Sequence, residues 1–210
     1  MPEVHDEIAA LSGSDRTAYR RLHDDATALL SAWSAPDPAQ AALRADYLAH
    51  LARHPCAVAK AGPPEHLTAS VLVLDDGLEQ VLLTHHRKAG VWLQFGGHLE
   101  PGDASLYAAA VREVAEESGV DGVRIDPIVA QLDRHRLIGA FGRCREHLDV
   151  RFAGVTAPGA TPRVSSESHD VRWWPLADLP EETSTEVSAL AAACRQVLTQ
   201  PQAPVRSTVS

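Results

Sequence analysis

The stretch that most narrows what this chain can become is Gly96–Val120, GGHLEPGDASLYAAAVREVAEESGV. A glycine pair opens a loop, an acid and a serine stand where a helix would start, and Gly119 stands where it would stop. On such a helix Glu113, Glu116 and Glu117 fall within roughly 100° of arc, as neighbours three and four residues apart. Like charges at that spacing cost roughly 0.2–0.5 kcal/mol per pair. Glu116 and Glu117 also lie in the last turn, where the helix dipole favours cations by about 0.3–1 kcal/mol. Arg112 sets one positive charge against three negative ones. A divalent cation bound through oxygen reverses the sign of all these terms, and clustered carboxylates suit Mg²⁺ or Mn²⁺ better than zinc. For a Glu-Glu pair taken alone, a solvated acidic helix end is the plainer explanation.

The whole string resembles the Nudix box, Gly-x5-Glu-x7-Arg-Glu-(apolar)-x-Glu-Glu-x-Gly-(apolar), the signature of the Nudix hydrolases. Its second half is unchanged: Arg112, Glu113, Val114, Glu116, Glu117, Gly119 and Val120. Its first half departs twice. Asp103 stands where the family has glutamate, and eight residues rather than seven separate it from Arg112. The extra residue falls at the helix entrance, with Ser105 as its N-cap. Whether Asp103 then reaches Arg112 is the open point of this half.

Composition bounds the rest. The 210 residues suffice for one domain with an extension. No apolar run is long enough to span a membrane, and the acidic N-terminus is not a secretory signal. Cys56, Cys144 and Cys194 lie far apart, which suggests neither a disulfide framework nor a zinc site. The expected setting is cytoplasmic. A net charge of −9 argues against a hold on long nucleic acid, but not against a nucleotide-sized phosphate ligand met locally by a metal and a few cations.

Along the chain, a helical hairpin is expected over residues 14–54. Ser14 or Asp15 would cap its first helix, and Asp37, Pro38 and Gln40 mark the start of its second. Packing against the core is its simplest role; a lid, a dimer arm or a specificity element are the alternatives. Strands are expected at Leu67–Leu74, Gln80–Thr84, Val91–Phe95, Val123–Leu132, His147–Thr156 and Val171–Trp174. Thr183 and Glu186 read as a capping box before a final helix. This order gives an α+β fold, an α/β/α sandwich. The division expected is a helical extension at 1–62, the main domain at 63–200 and a flexible tail at 201–210. The resemblance covers about residues 66–198 and implies the Nudix fold, a mixed sheet between helices.

The resemblance also implies a reaction: cleavage of a nucleoside diphosphate derivative by water attack at phosphorus, with Mg²⁺ or Mn²⁺ as cofactor. Glu113, Glu116 and Glu117, with the carbonyl of Gly96, are the implied metal ligands. Arg112 would orient a carboxylate. For the general base, Glu113 or Glu116 compete with Glu167 in the loop before the last strand, and Glu146 is a weaker choice. Arg87 and Lys88, the Arg134 cluster and His98 are candidates for binding substrate, although a solvated face is the commoner role for such basic runs. Trp92 and Phe95 have core spacing but could stack on a base. The partner expected is a small nucleotide derivative, with a homodimer left open. Two rival readings are a non-catalytic nucleotide-binding sensor and an isomerase of prenyl diphosphates using Cys144.

Overall fold

Every position of Glu65–Leu74 except the first is buried, so this strand must be covered on both faces. It is β1, and it lies inside a seven-stranded mixed sheet in the computed structural model, which describes residues 12–137, 143–157 and 159–200. The other strands are β2 (Gln80–His86), β3 (Trp92–Leu93), β4 (Phe95–His98), β5 (Arg124–Arg136), β6 (Glu146–Val155) and β7 (Ser168–Pro175). The main path runs β3-β2-β1-β6-β5, with β4 also paired to β1 and β7 to β2. β1 and β6 are parallel over their whole length, and the remaining pairs are antiparallel.

The alternation of β1 separates two cores. Leu67, Ala69, Val71 and Val73 join one with α1 (Gly13–Ala32), α2 (Pro38–Arg53) and α3 (Leu106–Ser118). Leu72 and Leu74 join the other with Val187, Leu190 and Cys194 of α4 (Val187–Thr199). The expected sandwich is therefore the fold found. No helix among the described residues is long and apolar enough to cross a membrane. The tail expected at 201–210 lies outside the described residues.

Several local expectations need correction. Ser12, not Ser14 or Asp15, caps α1, its hydroxyl accepting from the amide of Asp15. The strand expected at Val91–Phe95 is two strands, because Gln94 separates a piece paired with β2 from a piece paired with β1. The capping box at Thr183 does not form. That segment is hydrogen-bonded to Trp92 at both Glu182 and Ser184, and α4 begins without a side-chain cap.

The helical hairpin packs on the core and adds polar ties to it. Trp33 Nε1 donates to the Val129 carbonyl at 2.8 Å. The Gln40 amide both donates to and accepts from the Leu132 backbone, at 3.0 and 2.7 Å, as a neighbouring strand would. Asp25 accepts from the Leu106 amide at 2.7 Å, so α1 caps the helix that carries the glutamates. Gln40→Leu should cost about 1–3 kcal/mol of stability, because it leaves two β5 backbone groups unpaired. Urea unfolding checks this, and an unchanged midpoint would mean that solvent replaces the amide.

Candidate functional site

The α3 entrance is built as the sequence predicts at Ser105, whose hydroxyl accepts from the Ala108 amide at 3.0 Å. Its exit is Gly119, in the left-handed region at φ 60°, where a side chain would collide with Arg163. Between these ends Arg112 joins the pieces. Its Nε and Nη2 donate to the two oxygens of Asp103 at 3.0 and 3.1 Å. Nη2 also donates to the His98 carbonyl at 2.9 Å. Nη1 donates to Glu113 at 3.0 Å and to Glu116 at 3.1 Å. The open point of the first half is thus answered: Asp103 does reach Arg112, with both oxygens. Asp103 also accepts from the Glu100 amide at 2.8 Å and is 5% exposed. These bonds, that to Asp103 foremost, raise the Arg112 pKa further, so its charge is permanent.

Glu113 is pressed against the backbone of Gly97, where a Cβ would lie 2.6 Å from its carboxylate. A larger residue there would push the Glu113 carboxylate out of its present position. Gly96 has a matching role, since a Cβ there would meet Ser70, and its amide donates to Glu117 at 3.2 Å. Burial raises the pKa of Glu113, and Arg112 only partly offsets this. Burial, then the charge of Glu113, pushes Glu117 up to about 8. Glu116 is mostly exposed.

These carboxylates open onto a cleft of about 630 Å³ that also contains Tyr19, Lys60, Lys88, Cys144 and Glu167. Of the sequence candidates, Gly96, His98, Arg112, Glu113, Glu116, Glu117, Lys88 and Glu167 are brought together. Arg87 is exposed and does not line the cleft. Arg134 is a correction with a clear cause. On β5, residues 134 and 136 face a different groove, while residue 135 turns toward the glycine loop, and Glu146 holds Arg134 in an ion pair at 2.6 Å. Glu146 accordingly leaves the set of candidate bases. Trp92 and Phe95 are core residues. Sequence reading missed Tyr19 and Lys60 as site residues; they precede the Gly96–Val120 stretch and reach the cleft through the fold.

Beside the cleft lies a smaller pocket, whose wall includes a buried polar network. Asp149 accepts from Thr68 at 2.9 Å, Ser70 at 2.6 Å and Arg151 at 3.0 Å. Arg151 also donates to Asp133 at 2.8 Å and to Gln131 at 3.0 Å. Although burial opposes it, the Arg151 guanidinium holds Asp149 below the usual carboxylate range. Alternating charges inside an apolar strand, Asp149 and Arg151, were the signal for this network.

The metal question can be put to these residues. Two carboxylates are largely buried, with one guanidinium and one backbone amide as their counterweights. The donor set is all oxygen, which fits a hard divalent cation. Arg112 now holds Glu113 and Glu116, so a bound cation would have to share them.

A family model described as the NUDIX domain matches residues 64–193. Among solved structures, the chain is similar to the NUDIX domain of Shewanella oneidensis NrtR complexed with ADP ribose, at 24% identity over 63% of this chain and 88% of that one, with a TM-score of 0.51. It is also similar to a MutT protein from Methanosarcina mazei, at 21% identity over 66% and 98%, with a TM-score of 0.52. A C. elegans Ap4A hydrolase matches at 17% identity over 63% and 96%, with a TM-score of 0.51. These three likenesses speak to the fold. No curated protein matches the chain.

Proposed function

The chain belongs to the Nudix family, and on that premise we propose that it is a Mg²⁺- or Mn²⁺-dependent hydrolase. It cleaves a pyrophosphate bond in a nucleoside diphosphate derivative by water attack at phosphorus. The observation that carries this reading is the Glu113-Glu117 pair: two largely buried, mutually repelling carboxylates beside a glycine backbone and open to a cleft. For structure alone such a pair is a liability. For binding a cation it is an asset.

Glu113, Glu116 and Glu117, with the Gly96 carbonyl, would hold the ion. The chemistry such an ion would supply is neutralisation of pyrophosphate charge and a lowered pKa for the attacking water. Arg112 is a positioning residue: it aims Glu113 and Glu116 and locks the glycine loop through the His98 carbonyl. Asp103 takes the part of the family's glutamate, its bidentate bond spanning the inserted residue. Lys88 and Lys60 supply mobile positive charge for phosphate oxygens at the cleft wall. Glu167 is the proposed general base, since it reaches the same cleft from the loop before β7, close enough for its charge to act on Glu117. Residues 63–200 are taken as the hydrolase unit, framed by the helices that precede it.

A binding-only role is the second reading, favoured by the likeness to a NUDIX domain complexed with ADP ribose. The intact carboxylate set supports hydrolysis over it. The two separate on a panel of ADP-ribose, diadenosine tetraphosphate and nucleoside triphosphates, each with Mg²⁺ or Mn²⁺. Release of a nucleoside phosphate product that stops with chelator is expected. Binding of a panel member with no product from any of them would favour the sensor.

A further inference from the structure

Four side chains outside the carboxylate cluster meet where three strands come together. β1 and β6 pair His66 with His147, so both imidazoles rise on one face of the sheet. β4 flanks β1 on its other side with His98 opposite Thr68, which shares the face of His66. Cys144 enters just ahead of β6, in Cys-x-x-His spacing with His147. The ring centroids form a near-equilateral triangle: His66 to His98 5.0 Å, His98 to His147 5.1 Å, His66 to His147 5.4 Å. Cys144 Sγ lies 3.9 Å from His98 Nε2. Each of the four offers a ligand atom, and these atoms lie within 4.8 Å of one another.

Two of the ring nitrogens lack partners. His66 is 1% exposed, and its Nδ1 donates to the Pro63 carbonyl at 2.9 Å. That bond leaves Nε2 as a bare acceptor, buried and without a hydrogen bond among the described residues. His147 Nε2 is likewise buried and unpaired. An unsatisfied buried polar atom costs about 1–3 kcal/mol, and two side by side call for an explanation. A carbonyl that fixes one ring nitrogen as donor while the other points into a cluster is the usual support of a histidine ligand.

We propose that His66, His98, Cys144 and His147 form a tetrahedral zinc site, distinct from the hard-cation site of the glutamates. Nitrogen and thiolate donors suit Zn²⁺ and exclude Mg²⁺. On a tetrahedral zinc with bonds of about 2.0–2.1 Å to nitrogen and 2.3 Å to sulfur, those two atoms stand roughly 3.6 Å apart. The 3.9 Å between Cys144 and His98 therefore needs only a small contraction. Four protein ligands leave no open position, so the ion is structural rather than catalytic. It ties β1, β6 and the Cys144 segment to β4. The His98 carbonyl is bound by Arg112, so zinc fixes the loop against which Glu113 and Glu117 are held. His135 stands next to His147 but is engaged by Asp133 at 2.8 Å and stays outside the set.

The test is a titration of reduced, chelator-stripped protein with Co²⁺ and then Zn²⁺. One tetrahedral Co²⁺ per chain is expected, with intense visible bands and a thiolate charge-transfer band, apart from any Co²⁺ on the glutamates, whose six-coordinate bands are weak. Zinc should bleach both, and excess Mg²⁺ neither. Cys144→Ser should lose the charge-transfer band. His66→Asn should weaken zinc binding roughly 100-fold or more, beyond what loss of a supporting contact does. Glu117→Gln should take up zinc as the unaltered protein does. Should His66→Asn fail to fold, the titration of the unaltered protein decides alone. No cobalt uptake, only a weak six-coordinate spectrum, or uptake abolished by Glu117→Gln overturns the proposal.

Discussion

Glu117→Gln is expected to abolish hydrolysis while making the metal-free protein more stable. The carboxylate is 6% exposed, and its pKa is pushed up to about 8 by burial and then by Glu113. The folded-state pKa thus lies above the ordinary value of 4.5. Its contribution to stability is complete below the unfolded pKa and is lost as pH rises through about 8. The metal-free protein should accordingly weaken steadily between those two values. Glutamine keeps the shape and the bond from the Gly96 amide but carries no charge. At alkaline pH the metal-free variant should gain on the order of 2–4 kcal/mol over the unaltered protein. The same change would remove a proposed metal ligand and with it several kcal/mol of transition-state stabilisation, a loss of about 1,000-fold in kcat/KM. Thermal unfolding against pH, with and without Mn²⁺, checks both signs. Mn²⁺ should stabilise the unaltered protein increasingly as pH rises and leave the variant nearly unmoved. A variant less stable than the unaltered protein at alkaline pH would show that Glu117 is already paid for by a partner other than a metal.

Arg112→Leu should be the most destabilising single change in the site. It leaves Asp103 buried without its cation and frees Glu113 and Glu116 to repel each other. Breaking one side of a buried pair costs about 3–5 kcal/mol. Arg112→Lys should recover little, because one ammonium cannot replace a fork that serves three carboxylates and a carbonyl. Asp103→Asn keeps a hydrogen-bond acceptor and should cost less than Arg112→Leu. Urea denaturation of the three variants orders them, and a loss below about 1 kcal/mol for Arg112→Leu would mean that the network is no stronger than a surface pair.

What the chain reveals on its face follows the range of the interactions involved. Ser105 and Asp37 act on residues three positions away, and Gly119 acts through its own left-handed backbone, so these caps and this stop are legible. Arg112 and the three glutamates lie on one helix, and their clustering follows from its pitch. Beyond that range legibility fails for identifiable reasons. Thr183 and Glu186 have the spacing of a cap, but Trp92 claims the segment from a distant strand. Arg134 and His135 differ by one position, and only the pairing of β5 decides which of them faces the glycine loop. Tyr19 and Lys60 reach the cleft through packing that no spacing encodes. Three scattered cysteines suggest no zinc site, because three of the proposed ligands are histidines brought together by strand register.

The most direct test of the proposed chemistry is hydrolysis in H₂¹⁸O with Mn²⁺, using a substrate identified from the panel and reading the products by mass. One ¹⁸O should enter one phosphoryl product at each cleavage. Label should be absent with chelator and reduced about 1,000-fold in rate for Glu117→Gln. Product formed without ¹⁸O at phosphorus, or formed as fast by Glu117→Gln, would contradict water attack directed by these carboxylates.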